Sequence, residues 1–221
     1  QPQFTRDQKI IGCEVLARWN SPDLGLISPS EFVSISEKTG LIIELGNYIM
    51  EEAFKTLQEW ETKGLDLKQF SINISVRQFF HSSFLDEVKR LSEKYLYEDT
   101  RKKIIFEVTE TILIEDIYRI SVIINKLKCL DFSFSMDDFG TGYSSLSALR
   151  EMPIEELKID RSFVCHLGER KSDELMITTI ISMAKIYDLK TVAEGIETEE
   201  QFMFLLENGC DMFQGYYFSK P

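Results

Sequence analysis

Apolar runs with the spacing of β-strands alternate with segments of helical spacing along almost the whole chain. The strand-like runs fall at about 10–18, 70–75, 104–109, 132–137, 156–160, 190–196 and 212–218. Between them, Ile49, Ala53, Leu57 and Trp60 mark one helix face, and Phe84, Val88, Leu91 and Tyr95 a second. Ile117, Ile120, Ile124 and Leu127, then Met176, Ile180, Met183 and Tyr187, continue the series. A strand–helix repeat of this period builds a mainly parallel sheet, because each helix carries the chain back to start the next strand in the same direction. Seven clear runs and a fragment near Gln1 to Phe4 favour closure into an α/β barrel of eight strands. Phe4 to Lys9 is too short for a crossover helix, so strands one and two form a hairpin and one strand runs antiparallel.

Local signals agree with the alternation. Ser28-Pro-Ser-Glu31 has the form of a capping box with proline at the first helical position, and Gly40 closes that helix. Thr198-Glu-Glu-Gln201 opens another, which Gly209 ends. No linker or composition shift divides the 221 residues, so 1–221 reads as one domain. Its abrupt start at Gln1-Pro2 gives it the look of a piece excised from a larger protein.

The formal net charge is −12, which argues against a basic surface that grips a DNA or RNA duplex or an anionic membrane. No apolar run approaches the roughly 18–20 residues of a membrane span. Cys13, Cys129, Cys165 and Cys210 are scattered, with no C-x-x-C pair, and read as reduced packing residues of a cytoplasmic protein, or of the cytoplasmic part of a sensory or membrane protein. Asn73-Ile-Ser75 matches a glycosylation sequon by chance in that setting.

The chemistry collects where the strands end. Strand two carries Glu14, Leu16 and Arg18 on one side, strand three Asn73, strand four Glu107 and Glu110, and strand five Asp137 and Asp138. Strand six carries Lys158 and Asp160, strand seven Glu194 and Glu197, and strand eight Gln214. In a closed barrel these ends converge, bringing up to eight carboxylates against two cations, Arg18 and Lys158. Like charges a few ångströms apart repel by about 4 kcal/mol per pair at an effective dielectric near 20. Such a cluster takes up protons or divalent cations, and an oxygen-only donor set selects Mg²⁺ or Mn²⁺. His81 and His166 flank helices and read as structural, which disfavours zinc or a histidine-centred triad. The spread of ligands suits two metal ions sharing one carboxylate, with Asp137 the best bridge. Lys158 and Gln214 are placed to orient an attacking water or to stabilise phosphoryl charge. Gly140-Thr-Gly-Tyr-Ser-Ser145 lacks the third glycine of a dinucleotide fingerprint and reads as a mobile loop beside the metals.

Glu14-Val-Leu-Ala-Arg-Trp19, Asp137-Asp-Phe-Gly-Thr-Gly-Tyr-Ser-Ser-Leu146, Leu157-Lys-Ile-Asp160, Ala193-Glu-Gly-Ile-Glu197 and Gln214-Gly-Tyr-Tyr217, in this order, resemble the EAL-domain cyclic di-GMP phosphodiesterases over essentially the whole chain. The resemblance implies a modified TIM-type (β/α)8 barrel with one antiparallel strand, and hydrolysis of cyclic di-GMP to linear pGpG. It implies Glu14, Asn73, Glu107 and Asp137 as ligands of one Mg²⁺ or Mn²⁺, and Asp137, Asp138 and Glu194 as ligands of a second, with Asp160 close by. By the same likeness Lys158 and Gln214 hold the nucleophilic water, and Arg18 contacts substrate phosphate, with Leu16 and Asp160 also on the substrate side. Glu110 anchors the loop after the paired aspartates, Glu197 supports the site, and a homodimer forms through that loop and the helix after it. Val15 replaces the alanine of the family's naming motif; alternation turns it away from the barrel interior, so its extra methyls concern packing.

Two other readings compete. A receptor that binds cyclic di-GMP without cleaving it usually lacks several ligands or the loop glutamate, and this chain lacks none. A barrel lyase using Lys158 as a Schiff base leaves the surrounding acids without a purpose.

Overall fold

A computed structural model describes residues 1–142 and 146–221. Strands β1 (Pro2–Thr5), β2 (Ile10–Val15), β5 (Gln69–Asn73), β6 (Ile104–Thr109), β7 (Ser133–Phe139), β8 (Glu156–Ile159), β9 (Lys190–Ala193) and β10 (Met212–Phe213) close a barrel in the order β1-β10-β9-β8-β7-β6-β5-β2. β3 (Trp19–Ser21) and β4 (Gly25–Ile27) form a separate hairpin after β2. β1 is antiparallel to both of its neighbours and every other barrel pair is parallel. The hairpin expected from the short Phe4–Lys9 connection is therefore present, and the fold is an α/β, TIM-type barrel with one reversed strand.

The helices are α1 (Pro29–Thr39), α2 (Ile42–Thr62), α3 (Val76–Phe79), α4 (Phe84–Tyr95), α5 (Glu98–Arg101), α6 (Ile117–Lys128), α7 (Leu146–Glu151), α8 (Arg161–Val164), α9 (Lys171–Ile186) and α10 (Glu199–Asn208). A 3₁₀ turn, Glu110–Ile114, follows β6. Thr198 and Gln201 form the expected reciprocal capping box on α10, and Gly209 ends it in the left-handed region with φ 89°. The corresponding reading at Ser28 is corrected. Ser28 does precede α1, with proline following, but its hydroxyl pairs with Ser30 Oγ at 2.7 Å instead of capping a backbone N–H.

The core lies between barrel and helices. Phe106 and Phe134 on the outer face of β6 and β7, with Phe132 just before β7, pack with Phe54, Phe79 and Phe84 from α2, α3 and α4. Buried faces are broader than the single rows read from spacing. α2 buries Met50 and Phe54 as well as Ala53 and Leu57, and α9 buries Ile177, Ile181 and Ala184 beside Ile180 while Met176 stays exposed. Val15 lies on the outer side of β2, half-buried against the core.

Gly215 stands where backbone approaches backbone: a Cβ there would lie 2.1 Å from the Ile196 carbonyl oxygen. That contact fixes Gln214 in the barrel interior, because Ile196 N donates to Gln214 O at 3.1 Å. Gly215→Ala is therefore expected to cost about 3 kcal/mol, which for a chain of this size lowers Tm by about 6–12 °C. A calorimetric scan showing a shift below about 2 °C would mean that the two segments separate easily.

Candidate active site

Lys158 is the centre of the site. It projects from β8 into the barrel, is fully buried, and meets four carboxylates from four other strand ends. Its Nζ lies 2.6 Å from Glu107 Oε2, 2.6 Å from Glu194 Oε1, 3.3 Å from Asp137 Oδ1 and 3.7 Å from Glu14 Oε1. Burial alone pulls the ammonium's pKa down, but Glu107, Glu194, Asp137 and Glu14 together outweigh it and hold the pKa well above the ordinary lysine value. One cation does not neutralise four acids. Burial drives the Glu107 carboxyl well above its usual range, and that of Glu194 up to about 8, although Lys158 opposes both shifts. Glu14 goes the other way. Burial would raise it, yet Lys158 and amide hydrogen bonds from Gln214 and Asn73 lower it. Those bonds run from Asn73 Nδ2 to Glu14 Oε1 at 2.6 Å and from Gln214 Nε2 to Glu14 Oε2 at 2.6 Å.

The strand that carries the paired aspartates runs past 137, the limit read from its apolar run. β7 does not give out at Asp137 but continues to Phe139, and its register with β8 shifts between Met136 and Phe139. Asp138 adopts φ 55°, a left-handed conformation that few non-glycine residues take. This bulge breaks the strict alternation of the strand. Asp138 N donates to Asp137 Oδ1 at 3.0 Å. Burial, then the charges of Asp137 and Asp160, push the Asp138 carboxyl up to about 6. Asp160 caps α8 by accepting from Ser162 N.

Eight acids do not meet at one point. Glu110 Oε2 faces the loop after β7, accepting from Gly140 N at 2.9 Å and Gly142 N at 3.1 Å. The remainder of the Gly140–Ser145 reading, from Tyr143 to Ser145, lies outside the described residues. Glu197 pairs with Arg161 Nη2 at 2.7 Å, on the rim. Arg18 is corrected as a cation of the cluster. Its Nη1 donates to Ala17 O at 3.0 Å and the side chain lines a groove of about 1020 Å³ on the outside of the barrel, beside α1 and α2. Arg161, which the motif reading passed over, is instead the arginine at the mouth, where Leu16, Glu194, Gln214 and Tyr216 also line the opening. Its position directly after Lys158-Ile-Asp160, at a strand end, was the available signal.

The donors suit hard divalent cations. Among the described residues no three acids, histidines or cysteines stand ready-spaced around a common metal position, because the acids are drawn onto Lys158. Glu107 Oε1 and Gln214 Oε1 are nonetheless buried and without a partner among the described residues, and both are oxygen donors of the kind that hard cations take.

The EAL domain family matches residues 1–221. The chain belongs to that family. It is 38% identical to the bifunctional diguanylate cyclase/cyclic di-GMP phosphodiesterase MucR of Pseudomonas aeruginosa over 96% of its length and 31% of that protein's. It is 40% identical to the signaling protein YkoW of Bacillus subtilis, over 100% and 27%. With the cyclic di-GMP phosphodiesterase PdeR of Escherichia coli it shares 34% identity, over 100% and 33%. The EAL chain thus spans about a third or less of these relatives. Among solved structures it superposes on the PaMucR phosphodiesterase complex with c-di-GMP at a TM-score of 0.95 and 37% identity, covering 100% of this chain and 89% of that one. No helix among its described residues is long and apolar enough to cross a membrane.

Proposed function

We propose that this EAL domain hydrolyses cyclic di-GMP to linear pGpG. The carrying observation is the buried lysine ringed by carboxylates from four strands, at the barrel end where such folds place their chemistry. The relatives named as cyclic di-GMP phosphodiesterases support the choice of substrate. In the reaction a water oxygen adds to one phosphorus, the ester oxygen on its far side leaves with a proton, and the ring opens at one bond. Two Mg²⁺ or Mn²⁺ ions, held by Glu14, Asn73, Glu107, Asp137, Asp138 and Glu194, would lower the pKa of the water and neutralise the leaving oxygen. Lys158 and Gln214 hold the water, since both face the acids from inside the barrel. Asp160 and Leu16 border the substrate, and Arg161 presents a cation to its phosphate from the rim. Arg18 reaches substrate only by leaving Ala17 O, so its part is the weaker.

The decisive assay is incubation with cyclic di-GMP and Mn²⁺ and chromatography for pGpG, with EDTA and Ca²⁺ as comparisons. Turnover that EDTA abolishes is expected. Tight binding without product would make the chain a receptor, and trapping of Lys158 by borohydride would make it a lyase.

Glu110 serves to order the loop that follows the paired aspartates. Glu110→Ala removes the acceptor of two backbone N–H groups. A displacement of about 1 Å at the reacting groups costs about 100-fold in turnover. That loss, with faster proteolysis near Gly140, is the expected result; unchanged turnover would remove the anchoring role.

The domain acts as a homodimer through the loop after Asp138 and the helix that follows it. Ile114 and Tyr118 are 74% and 79% exposed at the end of the 3₁₀ turn and the start of α6, and α6 packs against α7. Ile114→Glu with Tyr118→Glu is expected to shift sedimentation towards monomer; an unchanged dimer places the interface elsewhere.

A further inference from the structure

Below the lysine the barrel interior is polar, and it is unevenly paired. Gln3, Ser71, Ser135 and Glu156 are all at least nine-tenths buried. Gln3 Nε2, Ser71 Oγ, Ser135 Oγ and Glu156 Oε1 have no hydrogen-bond partner among the described residues. Their register places them together. Ser135 is opposite both Glu107 and Glu156, and Ser71 is opposite Glu14. Gln3 is opposite Gly12, which is opposite Gln69. Glu14, Glu107, Asp137 and Lys158 face the interior, so Gly12, Ser135 and Glu156, each two residues away on the same strands, face it too. Gly12 makes room for the layer: a Cβ there would lie 2.3 Å from Gln69 Cγ, and Gln69 Nε2 donates to Gln3 Oε1 at 2.7 Å.

In native interiors the large majority of buried side-chain polar atoms have a partner, so four without one in a single layer mark a place for bound solvent. The identity of the guest follows from the donors. Gln3 Nε2 can only donate, Glu156 Oε1 in its ionised form can only accept, and the two serine hydroxyls do either. A cation would be repelled by the amide hydrogens, and an anion by the carboxylate. Water satisfies both. A way in exists as well, because a cavity of about 500 Å³ at the opposite end of the barrel from the mouth is lined by Gln69, Ile105, Glu156 and Met212. Burial pushes the Glu156 carboxyl up to about 7.

We propose that the barrel holds an internal water site beneath Lys158, anchored on Glu156 and shared by Gln3, Ser71 and Ser135, that exchanges with solvent through the cavity at the barrel floor. The acidic layer then rests on hydrated groups instead of a dry plug. Nothing in this site depends on the phosphodiesterase reading.

The test is a high-resolution crystal structure of the 221-residue chain. Density peaks are expected within about 2.6–3.2 Å of Glu156 Oε1 and of at least one serine hydroxyl. An empty layer in which Ser135 or Gln69 has turned to bond Glu156 directly overturns the proposal. A peak ringed by oxygens at about 2.0–2.6 Å overturns the choice of water in favour of a metal ion. Glu156→Gln, nearly isosteric, should keep the peaks, and Glu156→Leu should lose the one on the anchor. If the leucine variant fails to fold, the parent and glutamine structures decide: the absence, in both, of any peak within hydrogen-bond distance of the side chain at position 156 overturns the proposal.

Discussion

Asp137→Asn lowers turnover of cyclic di-GMP by at least about 10³-fold, a barrier increase of about 4 kcal/mol, while the fold survives. Asp137 sits at the bulge of β7, 9% exposed, with one oxygen 3.3 Å from Lys158 and accepting from Asp138 N. It is the carboxylate assigned to both metal positions. Asparagine keeps the shape but replaces an anionic oxygen by an amide nitrogen that cannot ligate a hard cation. Loss of activity should therefore come with loss of at least one binding step when Mn²⁺ is titrated calorimetrically. Stability should move little or upwards, because the substitution removes one of several like charges around a single ammonium. Near-native turnover by Asp137→Asn would end the two-metal assignment.

Lys158→Met produces the largest expected change in stability. Removing the cation leaves Glu107, Glu194, Asp137 and Glu14 facing one another in a buried space. Breaking a buried ion pair from one side typically costs about 3–5 kcal/mol. For a chain of this length that is about 6–20 °C in Tm. The loss should depend on pH with a definite sign. Glu107 and Glu194 have folded-state pKa values raised above the unfolded value, Glu194 to about 8. The native state therefore binds more protons than the unfolded chain between about pH 4.5 and 8, and stability falls as pH rises through that window. Without Lys158 the fall becomes steeper. Glu14, whose pKa is lowered by Lys158 and two amides, contributes in the opposite direction in the parent chain, stabilising above its unfolded value and losing that as pH falls. Melting curves of Lys158→Met at pH 5 and pH 8, with and without Mn²⁺, check this. Partial recovery at pH 5, and again with Mn²⁺ at pH 8, is expected; a variant equally stable in all four conditions would show that the lysine is not the counter-ion of the cluster.

The barrel was legible in the sequence because period-two and period-3.6 patterns alternate, and because Phe4 to Lys9 leaves no length for a helix. The acids at strand ends were legible for the same reason, since parallel strands bring their ends to one rim. What stayed hidden was side-chain direction. Alternation counts residues and cannot see a bulge: it ends β7 at Asp137, where the structure turns Asp138 through a positive φ and continues. It treats every charge at a strand end as part of the cluster, whereas Glu110 turns to the loop, Glu197 to Arg161 and Arg18 to the outside. The family motif directed attention to Arg18, and Arg161, on the first turn after β8, was overlooked. Ser28 shows the same limit at a helix end: the residue type was right and the hydrogen bond went elsewhere.

The seam of the barrel lies between its two ends in sequence. β1, Pro2–Thr5, joins β10, Met212–Phe213, through only Phe4↔Phe213 and Thr5↔Met212. A ribosome must therefore deliver both β1 and β10, from opposite ends of the domain, before the cylinder can seal, and until then both margins offer unpaired backbone to neighbouring nascent chains. Deleting β1 or β10 reopens the ring, whereas a permuted domain that joins β10 directly to β1 and is cut at a distant surface turn keeps the seam stitched.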